Sequence, residues 1–156
     1  MANYTEQLQN IVRGYLDANQ PWPASTRQIA AWAIRQGRWE PQPSALVNQC
    51  ADQIARAMRE EHFTDSRGRT IRAKHVARVE RGGEQIALWA DIRSASRAHM
   101  QIALQQRRQQ IVGDCRQLKN DCDFYNDSKN PGDPIQIVFD FTTDLEELEP
   151  SDDSAA

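Results

Sequence analysis

The sequence predicts an α+β fold, mainly helical, with one β-hairpin set between helices. Three observations predict it. Apolar residues recur at helical spacing through the first third of the chain. The period changes to two at Thr70. Residues 94–125 contain no Pro and a single Gly, and are rich in Ala, Gln and Arg, which suit a long helix.

Leu8, Ile11, Val12, Tyr15 and Leu16 fall at i, i+3, i+4, i+7 and i+8, one buried face of a helix over residues 5–18. Pro21 and Pro23 end it. Ser25 and Gln28 form a capping box for a second helix, 26–36, whose stripe is Ile29, Ala30, Ala33 and Ile34 and whose C-cap is Gly37. Beyond Pro41 and Pro43, Ser44 caps a third helix, 44–60. Its apolar stripe is Leu46, Val47, Cys50, Ala51, Ile54, Ala55 and Met58. Asn48, Gln49, Asp52, Gln53, Arg56 and Arg59 occupy the opposite face.

Residues 65–68, Asp-Ser-Arg-Gly, read as a turn. From Thr70, Ile71, Ala73, His75, Ala77 and Val79 share one strand face, and Arg72, Lys74, Val76, Arg78 and Glu80 share the other. Gly82 and Gly83 turn the chain, because glycine tolerates positive φ. Ile86, Leu88, Ala90 and Ile92 alternate on the return strand, which completes a hairpin over 70–92. These elements predict one core holding Leu8, Ile11, Tyr15, Ile29, Ala33, Val47, Ile54, Met58, Ile86 and Leu88.

In the long helix, Leu104, Ile111, Cys115, Leu118, Cys122 and Tyr125 form a narrow heptad seam, which suits a partner helix and predicts a homodimer. The other cover available is the chain's own segment 135–141. There Ile135, Ile137, Phe139 and Phe141 alternate with Gln136, Val138, Asp140 and Thr142, as in a strand. Thr143 and Glu146 suggest a capping box for an acidic helix over 144–149, and the tail after Pro150 is expected to be disordered. The domains expected are 1–92, a long amphipathic helix at 93–126, and a loop, short strand and acidic tail at 127–156.

Composition, at 39% hydrophobic and 26% charged, is that of a globular protein. No apolar run is long enough to span a membrane, and the N-terminus lacks a secretion-signal layout, so the expected address is the cytoplasm. Cys50, Cys115 and Cys122 form no metal-ligand pattern and read as reduced, buried thiols. The net charge of −3 hides a split. Seven of the 22 acids, and none of the 19 Lys and Arg, lie after Phe139, which leaves 15 acids against 19 cations before it. Only Lys74, Lys119 and Lys129 are lysine; arginine forks suit phosphate. A basic body permits a nucleic-acid partner.

The order helix, helix, helix, hairpin, with the capped start Thr26-Arg27-Gln28-Ile29-Ala30, resembles the winged helix-turn-helix family over about residues 4–92. The resemblance implies a transcriptional regulator that binds DNA. The third helix would present Asn48, Gln49, Asp52, Gln53 and Arg56 to base edges. The strand face of Arg72, Lys74 and Arg78, with Arg67 and Arg69 at the hairpin base, would contact phosphates. The alternative is a winged-helix module that binds a protein partner: a polar helix face is also simply a solvated face, and strand cations also guard a sheet edge. The loop 37–43 is longer than a tight helix-turn-helix turn, and Glu80 and Glu84 flank the wing tip. Catalysis is not expected. His62, His75 and His99 stand in no nucleophile or metal signature, there is no phosphate-binding Gly loop, and neither cofactor nor metal is implied.

Overall fold

The structure is a computed structural model that describes residues 3–149. Among these the fold is α+β, with five α-helices and two two-stranded antiparallel sheets. The chain divides into two compact units, Met1–Ala51 and Asp52–Ala156.

In the first unit, α1 (Tyr4–Asp17) begins in a capping box: the Asn3 side chain accepts from the Glu6 N–H, and the Glu6 carboxylate accepts from the Asn3 N–H. α2 (Thr26–Arg35) begins in the expected Ser25–Gln28 box. It ends at Gly37, whose φ of +65° lets the Arg38 N–H reach back to the Ala33 carbonyl. Tyr15, Trp32 and Ala33 are the buried centre, with Ile11, Ala24, Ile29 and Trp39 packed around them. The Tyr15 ring meets Trp32 edge-on at 5.5 Å, and its hydroxyl donates to the Pro21 carbonyl. Gly14 leaves room for the Arg38 guanidinium, which lies over the far side of Trp32.

A 3₁₀ turn (Pro43–Ala45) leads into α3 (Leu46–Glu60), which straddles the division. The expected Ser44 cap falls on a side chain outside those described. The single core predicted from the sequence does not form. Val47 is 80% exposed, Ile54 is 53% exposed, and no residue of α3 is buried. Its stripe is split between two units, and of its seven residues only Ala55 and Met58 are half-buried.

The second unit holds the hairpins. β1 (His62–Thr64) pairs with β2 (Thr70–Arg72) around the Asp65 turn, a small sheet the sequence did not disclose. β3 (Lys74–Arg81) pairs with β4 (Glu84–Asp91), so the expected 70–92 hairpin is present but begins at Lys74. Ala73 is the switch point. Its N–H donates to Glu61, and its carbonyl accepts from Ile92. The turn is Gly82-Gly83, both at positive φ.

α4 (Arg97–Ser128) starts at a Ser96 cap and lies against β3. Ala73, Ala77 and Ala103 are the buried small residues of this unit, and Ala103 has no exposed surface. Gln106 satisfies both peptide groups of Arg78: its Oε1 accepts from the N–H and its Nε2 donates to the carbonyl, each at 2.8 Å. Three residues earlier on the same strand, His99 Nε2 donates to the His75 carbonyl at 2.9 Å.

Segment 135–141 is not a strand. The peptide groups of Ile135 are taken by side chains of α4, Asn126 and the Cys122 thiol, so the segment runs back along that helix instead. α5 (Thr142–Leu148) follows without the expected Thr143–Glu146 box. The Thr142 N–H donates to the Asp140 carboxylate just before it. The tail after Pro150 lies outside the described residues. Cys50 is exposed and Cys115 and Cys122 are half-buried, so the expectation of three buried thiols fails. Among the described residues no helix is long and apolar enough to cross a membrane.

The seat of α4 on β3 depends on small residues. Ala103→Leu is expected to destabilise the second unit by about 1–3 kcal/mol, since the added methylenes have no space. An unchanged urea midpoint would mean that α4 does not rest on β3.

Candidate nucleic-acid interface

The alternation of β3 puts Lys74, Val76 and Arg78 on the face away from Ala73, His75 and Ala77. Across the sheet Val76 pairs with Trp89 and Lys74 with Asp91. The Arg59 guanidinium, from the last turn of α3, lies 5.6 Å from the Trp89 ring centre. Arg72 comes from β2. Arg107 and Gln110 come from α4, one and four residues beyond the Gln106 that grips β3. Together with His75 these residues line a cleft of about 40 Å³.

The charges divide into those already neutralised and those left open. Lys74 donates to Asp91 at 2.9 Å and lies 3.4 Å from Glu61. Arg93 also grips Asp91, whose carboxyl is held far below its ordinary value, first by the Arg93 side chain and then by Lys74. Arg69 is bound to Asp65, which accepts from the backbone of Arg67 and Arg69 as well and titrates below its usual range. Among the described residues no ion pair takes Arg59, Arg72, Arg78 or Arg107. Arg107 is pushed down by burial and by Arg72. His75 is only 3% exposed and is also pushed down, by burial foremost and then by Arg107, Arg72 and His99, against the pull of its hydrogen bond to the Arg72 carbonyl. Among the described residues two buried side-chain polar atoms have no partner: Arg72 Nε and His75 Nδ1.

The residues expected from the sequence fare unequally. Arg72, Lys74 and Arg78 do share the cleft, but Lys74 is committed to carboxylates. Arg69 is likewise committed, while Arg67 stands exposed at the turn. Asn48, Gln49, Asp52, Gln53 and Arg56 are all exposed on α3, and none of them lines the cleft. Arg59, His75 and Arg107 are not among the contact residues expected from the sequence, and Trp89 is read there as a core aromatic rather than a stacking surface. Arg59 lies on the polar helix face three residues after Arg56, which was a usable signal. Nothing in the sequence distinguishes Arg107 from its neighbour Arg108.

The seam residues Leu104, Ile111, Leu118 and Tyr125 stay exposed along α4, and Cys115 and Cys122 are half-buried. Ile111 and Cys115 share a groove with Phe139, Phe141 and Leu145, so the returning segment covers the seam only in part. Compared with known proteins, the chain matches no family model, no curated protein and no solved structure.

Asp91 ties β3 to the loop after β4. Because its folded value is depressed, its contribution is present above the unfolded carboxylate value of about 3.9 and is lost as pH falls through the folded value. Asp91→Asn is therefore expected to be less stable than wild type at neutral pH, with the gap closing in acid. Urea midpoints that stay parallel from neutral to strongly acidic pH would show that this carboxylate is not coupled to folding.

Proposed function

We propose that this chain binds nucleic acid through the arginine face of its second unit, as a winged-helix transcriptional regulator. The observation that carries the proposal is the convergence of Arg59, Arg72, Arg78 and Arg107, which among the described residues no carboxylate neutralises. Like charges brought together raise the energy of the free protein, and a polyanion relieves that cost. Guanidinium forks match phosphate oxygens in pairs. Protection of a sheet edge does not account for the cluster, because Gln106 already closes the edge of β3 at Arg78. Three helices followed by strands, with the small β1–β2 sheet set before the β3–β4 hairpin, resemble the order of the winged-helix family, and the exposed polar side chains of α3 suit base edges.

Binding to a random DNA duplex is expected to weaken steeply with salt, by close to one logarithmic unit of salt slope for each phosphate neutralised. Arg72→Ala and Arg78→Ala should each reduce the slope by about one. Lys74→Ala should change it little, because that charge is already paired. No binding at low salt would overturn the proposal and favour a protein-binding module.

The chain is also proposed to act as a homodimer. Leu104, Ile111, Leu118 and Tyr125 recur every seven residues, between 42 and 55% exposed, in a register that a second copy of the same helix can match knob for hole. A two-fold pair would offer two basic faces to a palindromic site. Light scattering at tens of micromolar should give twice the chain mass for wild type and one chain mass for Leu118→Glu. A monomeric wild type would remove the dimer.

A further inference from the structure

The cleft has features that a merely basic surface lacks. At about 40 Å³ the cleft is too small for a nucleobase and admits only the leading oxygens of a tetrahedral oxyanion, the rest of which stays at its mouth. The Trp89 ring that a base would stack on is already covered by Arg59. Arg72 presents a buried N–H with no acceptor, and an acceptor is what an oxyanion brings. His75 completes the set. Its Nε2 lies 2.8 Å from the Arg72 carbonyl, and a carbonyl can only accept, so Nε2 carries the ring proton. In the neutral ring Nδ1 is then a bare lone pair, buried and unpartnered.

We propose that this cleft is a socket for one phosphate group, gripped by Arg59, Arg72 and Arg107, and that His75 takes up a proton from solvent at Nδ1 when the phosphate enters. This rests on the nucleic-acid proposal above and adds to it a defined contact and a pH dependence. The groups that face His75 are Arg72 beside its ring on β2 and Arg107 and His99 on α4; Lys74, Arg78 and Arg59 line the same cleft. Burial foremost, then Arg107, Arg72 and His99, push the ring toward its neutral form. An anion set among the cations reverses the local field, so the imidazolium becomes the favoured form and Nδ1–H donates to a phosphate oxygen. Binding thus strengthens as pH falls through the histidine range and levels off once the ring of the empty protein is itself protonated. The phosphate is either a backbone diester or the monoester at a strand end.

Sulfate is the probe for the socket, because it does not titrate where histidine does. The full chain, labelled with nitrogen-15 on its histidine rings, is titrated with sulfate and followed by NMR. The His75 Nδ1 resonance is expected to move from the unprotonated to the protonated range. The apparent sulfate affinity should rise by up to about tenfold for each pH unit lowered across the transition. Arg72→Lys, which keeps the charge but removes Nε, should weaken sulfate binding, and Arg67→Ala, away from the cleft, should not. His75→Gln should bind sulfate with no pH dependence; if it fails to fold, Arg72→Lys and the wild-type titration carry the test alone. Sulfate binding that leaves the His75 ring unmoved, or a flat pH profile in wild type, overturns the socket. Duplex binding with His75 unmoved overturns the socket and spares the nucleic-acid proposal. Sulfate that protonates His75 in a protein that binds no duplex supports the socket and overturns the nucleic-acid proposal. A duplex with 5′-phosphates that binds more tightly than its 5′-hydroxyl counterpart assigns the socket to a strand end, and equal binding assigns it to the backbone.

Discussion

The second unit depends on the way α4 grips the edge of a two-stranded sheet. An isolated hairpin is marginal in water, and its outer peptide groups invite pairing with another chain. Here the side-chain amide of Gln106 takes the place of a third strand at Arg78, and His99 does the same for the His75 carbonyl. The spacing makes this possible. Seven residues of helix rise about 10 Å, close to three residues of strand. Ala73, Ala77 and Ala103 allow the helix to approach near enough for those bonds to form.

The same contact sets the electrostatics. Once Gln106 is fixed on β3, Arg107 comes beside Arg72, and Gln110 one turn later closes the cleft. The acids nearby do not answer these charges: Asp91 is taken by Lys74 and Arg93, and Asp65 by Arg69. The carboxylates thus tie loops and strand ends together while the arginines around the cleft remain open. Burial of His75 among them adds a titratable group whose charged form Arg107 and Arg72 oppose.

The first unit follows a simpler logic. Two capping boxes set the starts of α1 and α2, and the stop between them turns the chain so that Tyr15 meets Trp32. Arg38 then covers the outer face of Trp32, because Gly14 has no Cβ to block it. An aromatic pair with a polar handle at Pro21 gives a small unit a defined centre without a large aliphatic core.

Local signals in the sequence determined the helices, the Ser25 cap, the Gly37 stop, the Gly82-Gly83 turn and the alternation of β3. Each of these depends on residues within a few positions of one another, so composition and period suffice. The sequence also identified Arg72 and Arg78, since strand alternation places them on one face. Only the tertiary structure decided which cations stay open. Lys74 and Arg72 are equivalent by period, yet one meets Asp91 from the paired strand and the other meets no carboxylate among the described residues. It also decided which face of α4 is used. Helical spacing marks Leu104, Ile111 and Leu118 as a seam for a partner helix, while His99, Ala103 and Gln106 make the contact with β3, because a sheet edge requires hydrogen-bond partners and close approach rather than apolar bulk. For the same reason 135–141 became a companion of α4 instead of a strand: alternation marks a segment as able to pair, while pairing itself requires a free edge within reach.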